Sequence, residues 1–210
     1  VGSATVTIDG QNTERFGFDV AGGTSLYNTG SHTLNADFNG DSVTDLVVGA
    51  PNFVSSNSNQ VGAAYVFYGP LSGNLTSANA DVVFSGEDSS NNTGINAGNQ
   101  VAFIGDVNGD GISDIMVAAW RYDTSAATAD RTNNDGAVFI WRGSASLGSS
   151  DLTIGHDPGN HTADVTFIGE SNGDQFGQAA DGAGDFNCDG NADIIVGTQY
   201  ADYAGADSGV

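Results

Sequence analysis

Apolar residues in this chain come in short runs, alternating or continuous, and the runs are bounded by Gly, Asn, Ser or Asp. Helical spacing, with apolar positions three and four apart, is hard to find anywhere along it. Short apolar runs closed by turn-forming residues predict β-strands, and a chain built of little else predicts an all-β fold. Gly accounts for 31 of the 210 residues and Pro for only 3.

The runs also recur in a fixed order. A strand of the type SATVTIDG (3–10) returns as ADVVFSGE (80–87) and ADVTFIGE (163–170). A Gly-containing step follows each copy: RFGFDVAG (15–22), TGINAGNQ (93–100) and QFGQAADG (175–182). Next comes an Asp-rich loop that runs straight into an aliphatic strand. After a polar loop the unit ends on VGAAYVFYG (61–69) or DGAVFIWRG (135–143), and the third copy of that strand is only begun at Ser208-Gly209-Val210. Each unit therefore carries about four short strands, the makeup of a propeller blade. The units fall at about 11–87, 88–170 and 171–210, the last incomplete, within a single domain spanning 1–210. Polar insertions lie at 52–60, 70–79, 88–92, 121–134 and 144–162, and none has the length or composition of an interdomain linker.

Charge changes the picture of the surface. Asp and Glu total 26 against 4 Lys and Arg, a formal net charge of −22. A surface of that sign repels nucleic acid and anionic lipid headgroups. No apolar run approaches the length of a transmembrane helix, and the N-terminus has neither a basic n-region nor an apolar h-region, so any signal peptide is expected to be gone already. The single Cys188 excludes an intrachain disulfide framework; it reads as a small turn residue, the alternative being an exposed thiol for an intermolecular bridge.

Nine of the aspartates sit in the three loops, which read DFNGDSVTDLVVG (37–49), DVNGDGISDIMVA (106–118) and DFNCDGNADIIVG (185–197). Each has Asp, Asn, Asp and Asp at positions 1, 3, 5 and 9. Alternate side chains of a tight loop point inward, so carboxylate and amide oxygens from positions 1, 3 and 5 converge, and a carbonyl at position 7 with the carboxylate at position 9 completes a shell for a hard cation. The opening matches an EF-hand, but the bidentate Glu at position 12 is absent and a strand follows in place of a helix. A single copy would pass for an Asx-rich turn; three copies with the same following strand favour calcium. No His or Glu stands among these positions, which argues against zinc or copper.

The Phe-Gly step, the DxNxDGxxD loop, a strand ending Gly49-Ala50-Pro51 and a GAxYVF strand together resemble the FG-GAP repeat of integrin α-subunit β-propellers and of secreted bacterial surface proteins. The resemblance implies Ca²⁺ at about three sites. The first is held by Asp37, Asn39, Asp41, Asp45 and the Val43 carbonyl, the second by Asp106, Asn108, Asp110, Asp114 and the Ile112 carbonyl. The third is held by Asp185, Asn187, Asp189, Asp193 and the Asn191 carbonyl. Phe-Gly is present at Phe16-Gly17 and Phe176-Gly177 and is matched to Thr93-Gly94 in the middle unit; Gly-Ala-Pro is intact only in the first. A closed propeller of this family has about seven blades, whereas this chain supplies about two and a half to three. Two explanations stay open: a fragment of a longer protein, or copies that complete one another's blades by strand complementation.

Catalytic chemistry is not expected. His32, His156 and His161 have no motif partner, and no GxSxG, HExxH or Walker pattern occurs. Tyr68, Trp120, Tyr122 and Trp141 fall at or just after strand ends, where they pack between blades or, alternatively, stack on sugar rings. The sequence thus points to an extracellular or cell-surface, calcium-stabilised β-propeller module that acts in adhesion, surface or appendage structure. Its expected partners are other protein chains, copies of itself included, without nucleic acid or membrane insertion. The rivals are a carbohydrate-binding module with glycans as ligands, and a non-catalytic propeller beside an enzyme domain.

Overall fold

The computed structural model describes residues 6–11, 13–23, 36–56, 60–86, 94–123, 134–147, 151–154 and 162–201. The strands in chain order are β1 (Thr7–Asp9), β2 (Val20–Gly22), β3 (Leu46–Ala50), β4 (Ala63–Phe67), β5 (Asn74–Thr76) and β6 (Val82–Gly86). They continue with β7 (Gln100–Gly105), β8 (Asp114–Ala119), β9 (Ala137–Trp141), β10 (Asp151–Ile154) and β11 (Val165–Ile168), and end with β12 (Ala179–Gly184) and β13 (Asp193–Gly197). A 3₁₀ turn at Ser77–Asn79 is the one helical piece among the described residues. The fold is all-β, as the apolar pattern predicts.

Two blades of propeller type are laid down in the expected order. Strands β2, β3, β4 and β6 pair antiparallel as neighbours, and β7, β8, β9 and β11 repeat that meander. The third unit contributes the antiparallel pair β12–β13. Successive side chains of a strand face opposite ways, and here both ways lead to a core. Val47, Ala64, Val66 and Phe84 of the first blade meet Ile115, Val117, Phe139 and Trp141 of the second. The opposite face of the second blade, with Ile104, Met116, Val138 and Ile140, packs against Phe176, Ile194 and Val196 of the third unit. Burial on both faces explains why AAYVF and AVFIW are continuous apolar runs and not alternating ones.

The aromatics belong mainly to this packing. Trp141 is 2% exposed and lies against Phe84 with ring centroids 4.4 Å apart; Tyr122 is fully buried against Phe139. Trp120 and Tyr68 are half-buried.

The Phe-Gly step sits elsewhere in the middle unit than the sequence match to Thr93-Gly94 implies. The left-handed pairs are Arg15-Gly17, Asn96-Gly98 and Gln175-Gly177, with φ of +55 and +79, +55 and +79, and +56 and +83 degrees. Ala97 bridges Gly62 just as Phe176 bridges Gly136, so Ala97-Gly98 occupies the Phe-Gly place. The Gly17 amide donates to the Gly49 carbonyl, and the Gly98 amide to the Ala118 carbonyl, at 3.0 Å each. A Cβ on Gly49 would collide with the Gly98 carbonyl oxygen of the next unit. The Phe-Gly and Gly-Ala-Pro signatures are therefore two halves of one contact between the first and second strands of a blade.

Two insertions that read as polar loops hold strands. Within 70–79, β5 turns back to pair parallel with β1, and within 144–162, β10 pairs parallel with β6. Both partners are copies of the fourth strand. Strand β10 extends the first blade by one strand and covers its edge, where unpaired backbone groups would otherwise lie open, while β1 and β5 make a two-stranded sheet of their own. Ile154 of β10 is fully buried in the core between the first two blades.

Candidate metal centre

Each Asp-rich loop enters the second strand of its blade directly, at Leu46, Asp114 and Asp193. The three loops repeat one hydrogen-bond pattern. The carboxylate at position 1 (Asp37, Asp106, Asp185) accepts the position 5 amide on Oδ1 at 3.0, 3.1 and 3.0 Å. Its Oδ2 accepts the position 6 amide at 2.9, 2.7 and 3.1 Å. The position 3 side chain (Asn39, Asn108, Asn187) accepts the same position 5 amide on Oδ1, at 2.9, 2.9 and 2.8 Å. Two oxygens that share one N–H donor stand side by side, so positions 1 and 3 do converge. The position 5 carboxylate (Asp41, Asp110, Asp189) turns to the amide of position 7, that of Val43, Ile112 or Asn191, at 2.8, 2.9 and 2.9 Å.

Position 9 behaves differently. One oxygen of Asp45, Asp114 and Asp193 accepts the amide of position 2, that of Phe38, Val107 or Phe186, at 2.8, 2.9 and 2.7 Å. In the first two units the other oxygen accepts the amide of Gly69 or Gly143, just past the third strand, at 3.0 and 2.9 Å. Asp45 and Asp114 are 3% and 0% exposed. They act as clips that fasten the loop to the neighbouring turn, a role that the ligand pattern in the sequence did not reveal. The signal was present: a Gly follows the third strand in both units, as Tyr68-Gly69 and Arg142-Gly143. The same turn takes a second carboxylate, since Asp81 and Asp164 accept the amides of Tyr68 and Arg142 at 2.7 and 2.8 Å.

Electrostatics follow from that placement. Burial pushes the Asp114 carboxyl up to about 6, with the charges of Asp110 and Asp106 adding to the effect. Burial also raises Asp45, and Asp41 adds to it. Tyr68, half-buried near Asp45, Asp81 and Asp41, is pushed up to about 12, chiefly by loss of solvent. In the exposed third loop the Asn191 amide and the Asn187 side chain hold Asp189 below its usual range. The first two loops thus gather negative charge; Arg142 pairs with Asp164 at 3.9 Å, at the turn past the third strand of the second blade.

Among the described residues, no three His, Cys, Asp or Glu side chains stand close enough to hold a metal by themselves. The donors that do converge are carboxylate and amide oxygens; in the second loop Oδ1 of Asp106 takes the amides of Asn108, Gly109 and Asp110 together. That donor set is hard and all-oxygen, and it fits a calcium-type cation where it would not fit zinc or copper. His32, His156 and His161 lie outside the described residues.

Residues 29–67, which contain the first loop and both strands after it, match the family model described as FG-GAP repeat. The chain is 28% identical to integrin alpha pat-2 of Caenorhabditis elegans over 172 residues, 82% of this chain and 13% of that protein. It is 29% identical to integrin alpha-PS5 of Drosophila melanogaster over 174 residues, 82% of this chain and 15% of that protein. A third match, to the phosphatidylinositol-glycan-specific phospholipase D of Bos taurus, is 37% identical over 90 residues, 43% of this chain and 10% of that enzyme. Residues 29–67 thus match the FG-GAP repeat, and the chain is similar to integrin α subunits, of whose length it spans about an eighth.

Proposed function

We propose that this chain is a calcium-stabilised β-propeller-type module of an extracellular or cell-surface protein, and that it works in adhesion or surface structure through contacts with other protein chains. The relatives named as integrin α subunits support the adhesion reading. The observation that carries the calcium reading is the threefold loop, in which the same carboxylate and amide oxygens meet the same backbone amides at each copy.

Asp37, Asn39, Asp41, Asp45 and the Val43 carbonyl would hold the first ion; Asp106, Asn108, Asp110, Asp114 and the Ile112 carbonyl the second; Asp185, Asn187, Asp189, Asp193 and the Asn191 carbonyl the third. Bound calcium supplies positive charge against carboxylates that otherwise repel one another. The chain's own residues do the rest. Position 1 and position 3 side chains curl the loop, and Asp45 and Asp114 tie it to the turn beyond the third strand. The strand pair then enters the blade at a fixed register. A role of this kind is structural, not catalytic.

Calorimetric titration tests the assignment. The chain should take up about three Ca²⁺, and Asp110→Ala should leave about two, with Mg²⁺ a poor substitute because it demands tighter octahedral geometry. An Asp110→Ala protein that still binds as many ions as the parent would overturn it. The match to a phospholipase D supports a second reading, a non-catalytic repeat region beside an enzyme domain. A catalytic segment in the same polypeptide would favour that reading over adhesion. The glycan reading has less support, because Trp141 and Tyr122 are spent on the core.

A further inference from the structure

The three loops are joined to one another through their backbones. The amide of Ser113, at position 8 of the second loop, donates to the carbonyl of Asp37, at position 1 of the first (3.0 Å). One unit on, the amide of Ala192, again at position 8, donates to the carbonyl of Asp106, again at position 1 (2.8 Å). A further strut ties the first loop to the turn past the third strand of the second blade, where the Ser144 amide donates to the Phe38 carbonyl at 2.9 Å. Side chains follow the backbone: a Cβ on Gly40 would stand 3.2 Å from Cδ1 of Ile112, and one on Gly109 would stand 3.2 Å from Oδ1 of Asn191.

These bonds link the groups that matter on both sides. Ser113 is 3% exposed and lies between Ile112 and Asp114, residues that close the second loop. Its N–H meets Asp37 only while 112–114 keep that closed conformation. Asp37, for its part, is the residue whose carboxylate curls the first loop. Ordering either loop therefore fixes a backbone group on which the other depends.

We infer that the loops form a relay, in which a divalent cation bound in one loop raises the affinity of the adjacent loop but not of the loop beyond it. The inference rests on the calcium reading above. Its sign separates it from plain electrostatics, because two bound divalent cations repel and would weaken each other. Coupling of binding free energies is reciprocal, so the effect runs both ways along each junction.

The test is calcium titration by calorimetry into variants with two loops intact, at about 0.15 M salt to screen long-range charge. Asp189→Asn leaves the adjacent first and second loops, and Asp41→Asn leaves the adjacent second and third. Asp110→Asn leaves the first and third, which share no junction. In both adjacent pairs the second ion should bind at least about fivefold tighter than the first, the lower end of ordinary allosteric coupling. In the Asp110→Asn protein the two ions should bind independently. Independent or weaker second binding in the adjacent pairs overturns the relay alone, and equal cooperativity in all three proteins overturns it in favour of ordering of the whole fold. A parent chain that takes up no calcium overturns the relay together with the calcium reading.

Discussion

Loop positions 4 and 6 are held in left-handed backbone in all three units. Position 4 is Gly40, Gly109 and Cys188 at φ of +74, +81 and +61 degrees; position 6 is Ser42, Gly111 and Gly190 at +68, +87 and +96 degrees. A side chain costs about 1 kcal/mol in that region, which glycine avoids. Cys188→Gly should therefore stabilise the third loop by about 1 kcal/mol in urea unfolding, and Gly109→Ala should destabilise the second by at least as much. The position 9 clips make a sharper contrast. An Asn at Asp114 can accept on one side only, so it leaves either Val107 or Gly143 with a buried, unsatisfied amide. Asp114→Asn should cost about 1–3 kcal/mol, while Asp193→Asn, more exposed and without a second-turn partner among the described residues, should cost less; unfolding free energies of the two variants decide it. Positions 1, 3 and 5 were legible in the sequence because their contacts are local, two to five residues apart. The clips were not, because Asp45 and Asp114 reach partners 24 and 29 residues away.

At the level of strands, the apolar runs mark the second, third and fourth strands of the first two units, and burial on both faces makes the middle two continuous. The first strands, β2 and β7, lie at or beyond the Gly-containing step, outside those runs. What escaped were elements whose stability comes from a partner and not from their own pattern. Ala97-Gly98 lacks the aromatic, so the residue pattern points to Thr93-Gly94 as the middle Phe-Gly step; the nine-residue distance from Ala97 to Asp106, equal to that from Phe176 to Asp185, is the signal that identifies the true one. Strands β5 and β10 are too short and polar to announce themselves, and only their parallel pairing with β1 and β6 defines them. Ile154 distinguishes this account from one in which 144–162 is a loop. Because its side chain is fully buried between blades, Ile154→Ala should lose about 2–5 kcal/mol in chemical denaturation. A loop residue would lose almost nothing.

For the whole molecule, two cores stack three units into one body, and the loops line up along it through the Asp37–Ser113 and Asp106–Ala192 bonds. The chain has a formal charge of −22, which three divalent ions would bring only to −16. Calcium is thus expected to act locally, on loops whose buried position 9 aspartates are pushed up by burial and by the other carboxylates of the same loop, and not by neutralising the surface at large. Ligand that binds only the folded state stabilises it by about 2.7 kcal/mol per site at a hundredfold excess over Kd. Thermal unfolding in excess Ca²⁺ and again in EDTA tests this most directly. The account predicts a melting temperature several degrees lower in EDTA, restored by Ca²⁺ and poorly by Mg²⁺; superimposable curves under the two conditions would contradict it.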